Sequence, residues 1–226
     1  MERRLQQAER LSAMGRLASG VAHEIRNPLN AISMACQRLK EDNLEQLSTV
    51  IRNEIARLNV IVEEFLGLSR GRQLKLAQTD LSDLVRQVGL LMGEESRHRG
   101  VEIQTDVTES GFVMSVDGNK IRQALINIVK NAMESIPGSG TVTIKMRLKE
   151  KRTVVISISD TGAGFGEDDV DKIFNLDFTT KEKGLGLGLA LAHEIIQAHG
   201  GEIRVRSAEG VGTTFLLLLP VRVNLS

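Results

Sequence analysis

Tryptophan and tyrosine are absent from this chain of 226 residues, whose aromatic complement is six phenylalanines. That argues against a surface that binds bases or sugars by ring stacking, which leans on such side chains. A single cysteine, Cys36, is present. It cannot close an internal disulfide, and without a signal-peptide pattern it points to a reducing compartment, the cytoplasm. Neither sign of charge is in excess, since 29 Lys and Arg balance 29 Asp and Glu. This excludes the basic footprint of a nucleic-acid binder and the imbalance of a disordered tail. No apolar run approaches the roughly 20 residues that span a bilayer; the longest, Phe215 to Leu219, is strand-sized. No internal repeat or low-complexity tract is found. What remains is an ordinary globular composition, 41% apolar, long enough for one or two domains with real cores.

Glycine is scarce only at one end. Four glycines precede residue 76 and seventeen follow it, and the 12 basic and nine acidic residues of 1–75 give way to 17 and 20 beyond. The first third can therefore be long helices and the rest must be loop-rich, with a boundary at Arg70 to Thr79, where Gly71 stops a helix. Leu11, Met14, Ala18, Val21, Ile25, Pro28, Ile32, Ala35 and Leu39 alternate spacings of three and four, a heptad seam interrupted by one proline. A second seam runs through Leu44, Leu47, Ile51, Leu58, Ile61, Phe65 and Leu68, and Glu41-Asp42-Asn43 between them supplies turn and N-cap chemistry. The expectation is an antiparallel hairpin. Two helices cannot cover both stripes, which predicts a homodimer with a four-helix bundle. The polar, Arg-rich stretch from Met1 to Arg10 is expected to continue a coiled coil from a preceding region.

The second segment alternates helix and strand patterns: helices at Leu81 to Arg97, Asn119 to Ile136 and Leu187 to Ala198, and strands at Val101 to Val107, Gly111 to Val116, Thr141 to Leu148, Thr153 to Asp160, Glu202 to Ser207 and Thr213 to Leu219. That order predicts an α/β sandwich with helices on one face of a mixed sheet, making the whole chain α+β. The expected domains are 1–74 and 75–226.

Several polar residues sit where chemistry is feasible. With Val21 at d and Ile25 at a, His23 falls at f and faces away from the bundle core, Glu24 flanks the seam, and Asn27 lies one turn on along the same face as His23. Pro28 removes a helical hydrogen bond just after them. Neither His23 nor His193 has the second histidine of a zinc H-E-x-x-H motif. Asn127 and Asn131 are i and i+4 on the edge of a helix whose core stripe is Ile121, Leu125, Ile128 and Ala132. Parity along Val154, Ile156, Ile158 and Asp160 sends the Asp160 carboxylate to the apolar side, where a charge needs partners. Gly184-Leu185-Gly186-Leu187-Gly188 runs into a helix, so backbone N–H groups can approach an anion there. A Rossmann reading is poor because no strand directly precedes these glycines, and no Walker loop occurs. Taken one at a time, each has an ordinary explanation: a surface histidine, helix-surface asparagines, a strand-end Asp-Gly turn, a solvated lysine.

Their order is more specific. Val21-Ala22-His23-Glu24-Ile25-Arg26-Asn27-Pro28-Leu29 resembles the H-box of sensor histidine kinases. Asn127-Ile128-Val129-Lys130-Asn131-Ala132 resembles their N-box, Asp160-Thr161-Gly162-Ala163-Gly164 the G1 box, Phe174 and Phe178 the F-box, Gly184 to Leu189 the G2 box, and Gly210-Val211-Gly212-Thr213 the closing strand motif. The resemblance covers Leu11 to Leu219 and is most similar to the nitrogen-regulator class. Glu134 departs from the pattern, since many members carry a basic or aromatic residue there.

The resemblance implies a dimerisation and phosphotransfer hairpin followed by a Bergerat-type ATP-binding domain. His23 would be phosphorylated, with Glu24 hydrogen-bonding the far ring nitrogen and Asn27 orienting a hydrolytic water. Asn131 would ligate Mg²⁺ through its amide oxygen. Asp160 would accept from the adenine amino group and Thr213 would help position the base. Asn127, Lys130, Gly162, Gly164, Phe174, Phe178, Thr180, Lys181, Gly184, Leu185, Gly186, Leu187 and Gly188 complete the expected nucleotide site, with residues 164–184 as a lid. ATP and Mg²⁺ are the implied cofactors. A homodimer mate and a response-regulator receiver domain are the implied partners, with no nucleic acid and no membrane segment in this chain. His23 would attack the γ-phosphorus in line, aided by Mg²⁺, Lys181 and backbone N–H groups, and pass the phosphoryl group to an aspartate of the regulator, with phosphatase activity as a second function. A plain ATPase and a nucleotide-binding scaffold or phosphatase are the alternatives.

Overall fold

The computed structural model describes residues 21–22, 25–38, 44–69, 74–108, 110–150, 152–170, 172–175 and 186–221. The chain divides into two compact units, residues 1–71 with 175–187 and residues 72–174 with 188–226.

The first unit is a helical hairpin region. Helix α1 spans residues 25–37, continuing through Pro28, and α2 spans Leu44–Ser69. Val21, Pro28 and Ala35 recur every seven residues and are buried, with Ile25 and Ile32 half-buried between them, as the first seam requires. On α2, Leu47, Ile51 and Leu58 are half-buried and Ile61 is buried. Leu44, expected on the second seam, is instead exposed, because it is the first residue of its helix. Leu29, Met34, Val50, Ile55 and Val62 are exposed as well. Leu11, Met14, Ala18, Leu39 and the turn Glu41 to Asn43 lie outside the described residues.

The second unit runs β1 (Ala77–Asp80), α3 (Leu81–Ser96), β2 (Val101–Val107), β3 (Val113–Val116), α4 (Gly118–Glu134), β4 (Gly140–Lys149), β5 (Thr153–Asp160), the single turn α5 (Glu167–Val170), α6 (Leu187–Ala198), β6 (Glu202–Ala208) and β7 (Gly212–Pro220). Five strands form a mixed sheet in the order β2-β4-β5-β7-β6, parallel between β2 and β4 and antiparallel elsewhere, while β1 and β3 pair antiparallel in a second sheet. Alternation does the sorting: Val154, Ile156, Ile158 and Asp160 on β5 and Phe215, Leu217 and Leu219 on β7 are buried, and their neighbours along each strand are half-buried. Helices α3 and α4 cover that apolar face, α4 through a stripe of Ile121, Ala124, Leu125, Ile128, Val129 and Ala132. Each fully buried aliphatic side chain there contributes about 1.5–3 kcal/mol. The stripe fixes the rotation of α4, leaving Asn127, Lys130 and Asn131 half-buried at its edge.

The two long helices of this unit begin on aspartates that receive a backbone N–H, Asp80 from Asp83 at 3.1 Å and Asp117 from Lys120 at 3.2 Å. Asp117 is tied further. Its second oxygen accepts from Lys75 N–H at 2.9 Å, and its own N–H donates to Nε2 of buried His199 at 3.0 Å, whose Nδ1 lies 2.7 Å from the Ile195 carbonyl. One imidazole thus fastens the end of α6 to the start of α4.

Candidate active site

Asp160, the last residue of β5, is 7% exposed. Three donors meet its carboxylate: the backbone N–H of Gly162 at 2.9 Å, the backbone N–H of Thr213 at 3.2 Å and the Ser135 hydroxyl at 3.1 Å. All three reach the same oxygen, Oδ1. No buried side-chain nitrogen or oxygen among the described residues lacks a partner. Oδ2, which accepts from none of them, is therefore the oxygen that reaches the surface. Burial pushes this carboxyl above its ordinary value, and the Gly162, Thr213 and Ser135 hydrogen bonds pull it partway back. The result is a buried acceptor with one oxygen saturated and one open, able to take a hydrogen bond from an amino group.

The surrounding backbone is packed too tightly for side chains. A Cβ on Gly162 would stand 2.1 Å from Ser135 Oγ, and one on Gly164 would stand 2.1 Å from the Ala208 carbonyl oxygen. Ala163 N–H donates to the Ser135 carbonyl at 3.0 Å and Gly210 N–H to the Ala163 carbonyl at 2.6 Å, so this turn is held between the end of α4 and the β6–β7 turn. Thr213 is 2% exposed; its hydroxyl pairs with Ser207 Oγ at 2.9 Å, and Ser207 also receives Phe165 N–H at 2.7 Å.

Asn127 joins α4 to α6. Its amide nitrogen donates to the Gly188 carbonyl at 3.1 Å and so fastens the first turn of α6 to α4. Asn131 lies one turn further along α4, close in sequence to half-buried Lys130. No cluster of three or more His, Cys, Asp or Glu exists among the described residues. A hard cation here would draw on an amide oxygen together with substrate and water oxygens, a donor set that suits Mg²⁺. Gly186 precedes α6, whose first residue, Leu187, is buried.

Phe174 stacks on His193 of α6, with centroids 4.7 Å apart and planes inclined by 22°. Burial holds the His193 imidazole below its ordinary value, opposed by the charge of Glu194. Asn27 is exposed on α1. His23, Glu24, Phe178, Thr180, Lys181, Gly184 and Leu185 lie outside the described residues. The structure thus unites Asp160, Gly162, Gly164 and Thr213 in one network, joins Asn127 to Gly188, and gives Phe174 a partner of its own. Nothing in the sequence points to Ser135 or Ser207, and His193 stands out there only as a histidine without a zinc motif, because contacts between separate elements leave no local pattern.

Two family profiles match the chain: residues 13–74 match the His Kinase A (phospho-acceptor) domain, and residues 116–223 match the histidine kinase-, DNA gyrase B- and HSP90-like ATPase. Sporulation kinase E of Bacillus subtilis (strain 168) is 35% identical over 99% of this chain and 31% of its own length. The sensor histidine kinase ZraS of Escherichia coli (strain K12) is 36% identical over 97% of this chain and 48% of its own. The chain therefore spans 31% to 48% of the length of these relatives. Among solved structures, histidine kinase ThkA in complex with the response regulator protein TrrA is similar over 98% of this chain and 66% of that one, with 31% identity and a TM-score of 0.76. The ThkA catalytic domain alone is 98% covered at 30% identity and a TM-score of 0.59. Full-length ShkA in complex with AMPPNP is similar over 94% of this chain and 47% of its own, with 28% identity and a TM-score of 0.72.

Proposed function

The chain belongs to the sensor histidine kinases, and from that membership we propose that it is the catalytic core of an ATP-dependent, autophosphorylating protein-histidine kinase of a two-component system. Residues 1–74 form the dimerisation and phosphoacceptor hairpin and residues 75–226 the ATP-binding domain, a division supported by the spans of the two family profiles. The observation that carries the reading is the open Oδ2 of Asp160 beside a saturated Oδ1. That oxygen accepts a hydrogen bond from the exocyclic amino group of adenine, and it meets the carbonyl oxygen of guanine as one acceptor meets another. Base selection costs little rearrangement, because the carboxylate is already oriented.

The helix α6 begins at Leu187, just after Gly186 and with Gly188 in its first turn, so backbone N–H groups of that glycine-rich stretch are available to phosphate oxygens. Asn131 would hold Mg²⁺ through its amide oxygen, and the ion would supply charge neutralisation on the phosphates, with Asn127 and Lys130 near it on α4 as nucleotide contacts. Lys181 and Thr180 contact the terminal phosphate, and Phe174 and Phe178 precede them in the same segment. His23 accepts the γ-phosphoryl group as the bond from the γ-phosphorus to the bridging oxygen breaks and ADP leaves, with Glu24 hydrogen-bonded to the far ring nitrogen, and a receiver-domain aspartate of a response regulator then takes the group and frees the His23 ring. The hairpin pairs with that of a second copy, a role supported by exposed Leu29, Met34, Val50, Ile55 and Val62. Asn27 orients the water that removes phosphate from the regulator. No helix among the described residues is long and apolar enough to cross a membrane, and the core acts in the cytoplasm.

Incubation with ATP, Mg²⁺ and a panel of receiver domains tests the reading. Phosphoryl transfer to one or a few receivers is expected. Release of free phosphate with no phosphorylated protein identifies a plain ATPase instead.

A further inference from the structure

Ser135 follows α4 and belongs to none of the motifs that mark the nucleotide site, yet it meets Asp160, Gly162 and Ala163 of the turn. Its N–H donates to the Asn131 carbonyl at 3.1 Å, its carbonyl accepts from Ala163 N–H at 3.0 Å, and its hydroxyl proton is shared between the Ala132 carbonyl at 2.8 Å and Asp160 Oδ1 at 3.1 Å. Its hydroxyl also fills the space where a side chain on Gly162 would go. A carboxylate can rotate to offer either oxygen. Here a third donor on Oδ1, beyond the two backbone N–H groups, fixes which oxygen stays open.

We propose that Ser135 is a positioning residue for base selection: by loading Oδ1 of Asp160 it reserves Oδ2 for the amino group of adenine. The inference rests on the reading of Asp160 as the adenine acceptor and extends it to a residue outside the family motifs. It also ties base recognition to the helix that carries Asn131, because Ser135 caps that helix through its own N–H. Among the described residues, the groups facing Asp160 are the hydroxyl of Ser135, which caps α4, the Gly162 N–H from the turn, the Thr213 N–H from β7 and, paired with Asp160 across the sheet, Val142 of β4, with no charged side chain among them. Removing the hydroxyl therefore removes one of three forces that keep the carboxylate ionised.

The test compares two ligands on two proteins by calorimetry with the full chain: ATP, and purine riboside triphosphate, which lacks the amino group. Wild type is expected to prefer ATP by about tenfold, the worth of one good hydrogen bond to a charged acceptor. In Ser135→Ala that preference shrinks to about twofold, and the acid limb of ATP affinity moves to higher pH. A merely structural role weakens both ligands by the same factor. An equal loss for both, or no loss for either, overturns the proposal. Asp160→Asn separates the two levels. If it erases the preference while Ser135→Ala keeps it, the Ser135 assignment alone fails. If wild type shows no preference to begin with, the reading of Asp160 fails and the Ser135 assignment with it.

Discussion

Gly212 lies against the backbone of Asp160 so closely that a Cβ built on it would stand 2.1 Å from the Asp160 carbonyl oxygen, and its φ of +126° is one that side-chain-bearing residues rarely adopt. β7 thus passes the end of β5 with no side chain between them, which lets the next residue, Thr213, bring its N–H to the carboxylate. Gly212→Ala is expected to cost about 2–4 kcal/mol of stability and to weaken ATP binding at least about tenfold by withdrawing that N–H. Denaturant unfolding and calorimetry measure both. A variant with unchanged stability and affinity contradicts the role given to this contact.

Asp160→Asn keeps an oxygen for the three donors and turns the open atom into a donor. ATP affinity should fall by about a hundredfold, while inosine triphosphate, which offers an acceptor in place of the amino group, gains on it. The change also acts on the unliganded protein. The folded carboxyl of Asp160 lies above its ordinary value of 3.8, so the fold binds more protons there than the unfolded chain. Its contribution to stability is full below that ordinary value and is lost as pH rises through the folded value. The asparagine variant should lack this decline and be the more stable protein at neutral pH without nucleotide. Melting curves across pH decide it, and an equal decline in the variant assigns the effect to another group.

His193 behaves in the opposite sense. Burial under Phe174 holds its folded value below the ordinary 6.5, so the fold disfavours the charged ring. The stability present above pH 6.5 is lost as pH falls through the folded value. His193→Gln should flatten the stability profile on the acid side of pH 6.5 while leaving the slope at alkaline pH unchanged. Identical acid slopes in the two proteins would rule out this group as the source.

Asn27 is exposed on α1 and stands four residues after His23. Asn27→Ala is expected to slow dephosphorylation of the regulator by about tenfold or more, the scale of a lost water-positioning group, and to leave phosphorylation of His23 near wild-type rates. Both are read from phosphoprotein gels. Unchanged dephosphorylation removes the role.

Much of this architecture was legible in the sequence because burial imposes a period. The expected Val101 to Val107 strand and Leu187 to Ala198 helix coincide with β2 and α6, and parity alone sent Asp160 inward. β1 was not legible: Ala-Gln-Thr-Asp carries no apolar alternation, and its partner β3 makes it a strand. β3 is shorter than expected, starting at Val113 because Gly111 adopts a positive φ that ends the extended run. The motifs supplied Asp160 and Thr213. Which of the two carboxylate oxygens is occupied, and that Ser135 and Ser207 hold the network, depends on contacts between α4, β6 and β7 that only folding creates. His199 is the same kind of case, a buried ring defined by the distant N–H of Asp117.

Phosphorylation of His23 by ATP is read from incubation of the chain with Mg²⁺ and γ-labelled ATP, followed by acid and base treatment of the protein. An acid-labile, base-stable label is expected on the wild-type chain and none on His23→Gln. A label of undiminished size on His23→Gln would assign the phosphoryl group to another residue.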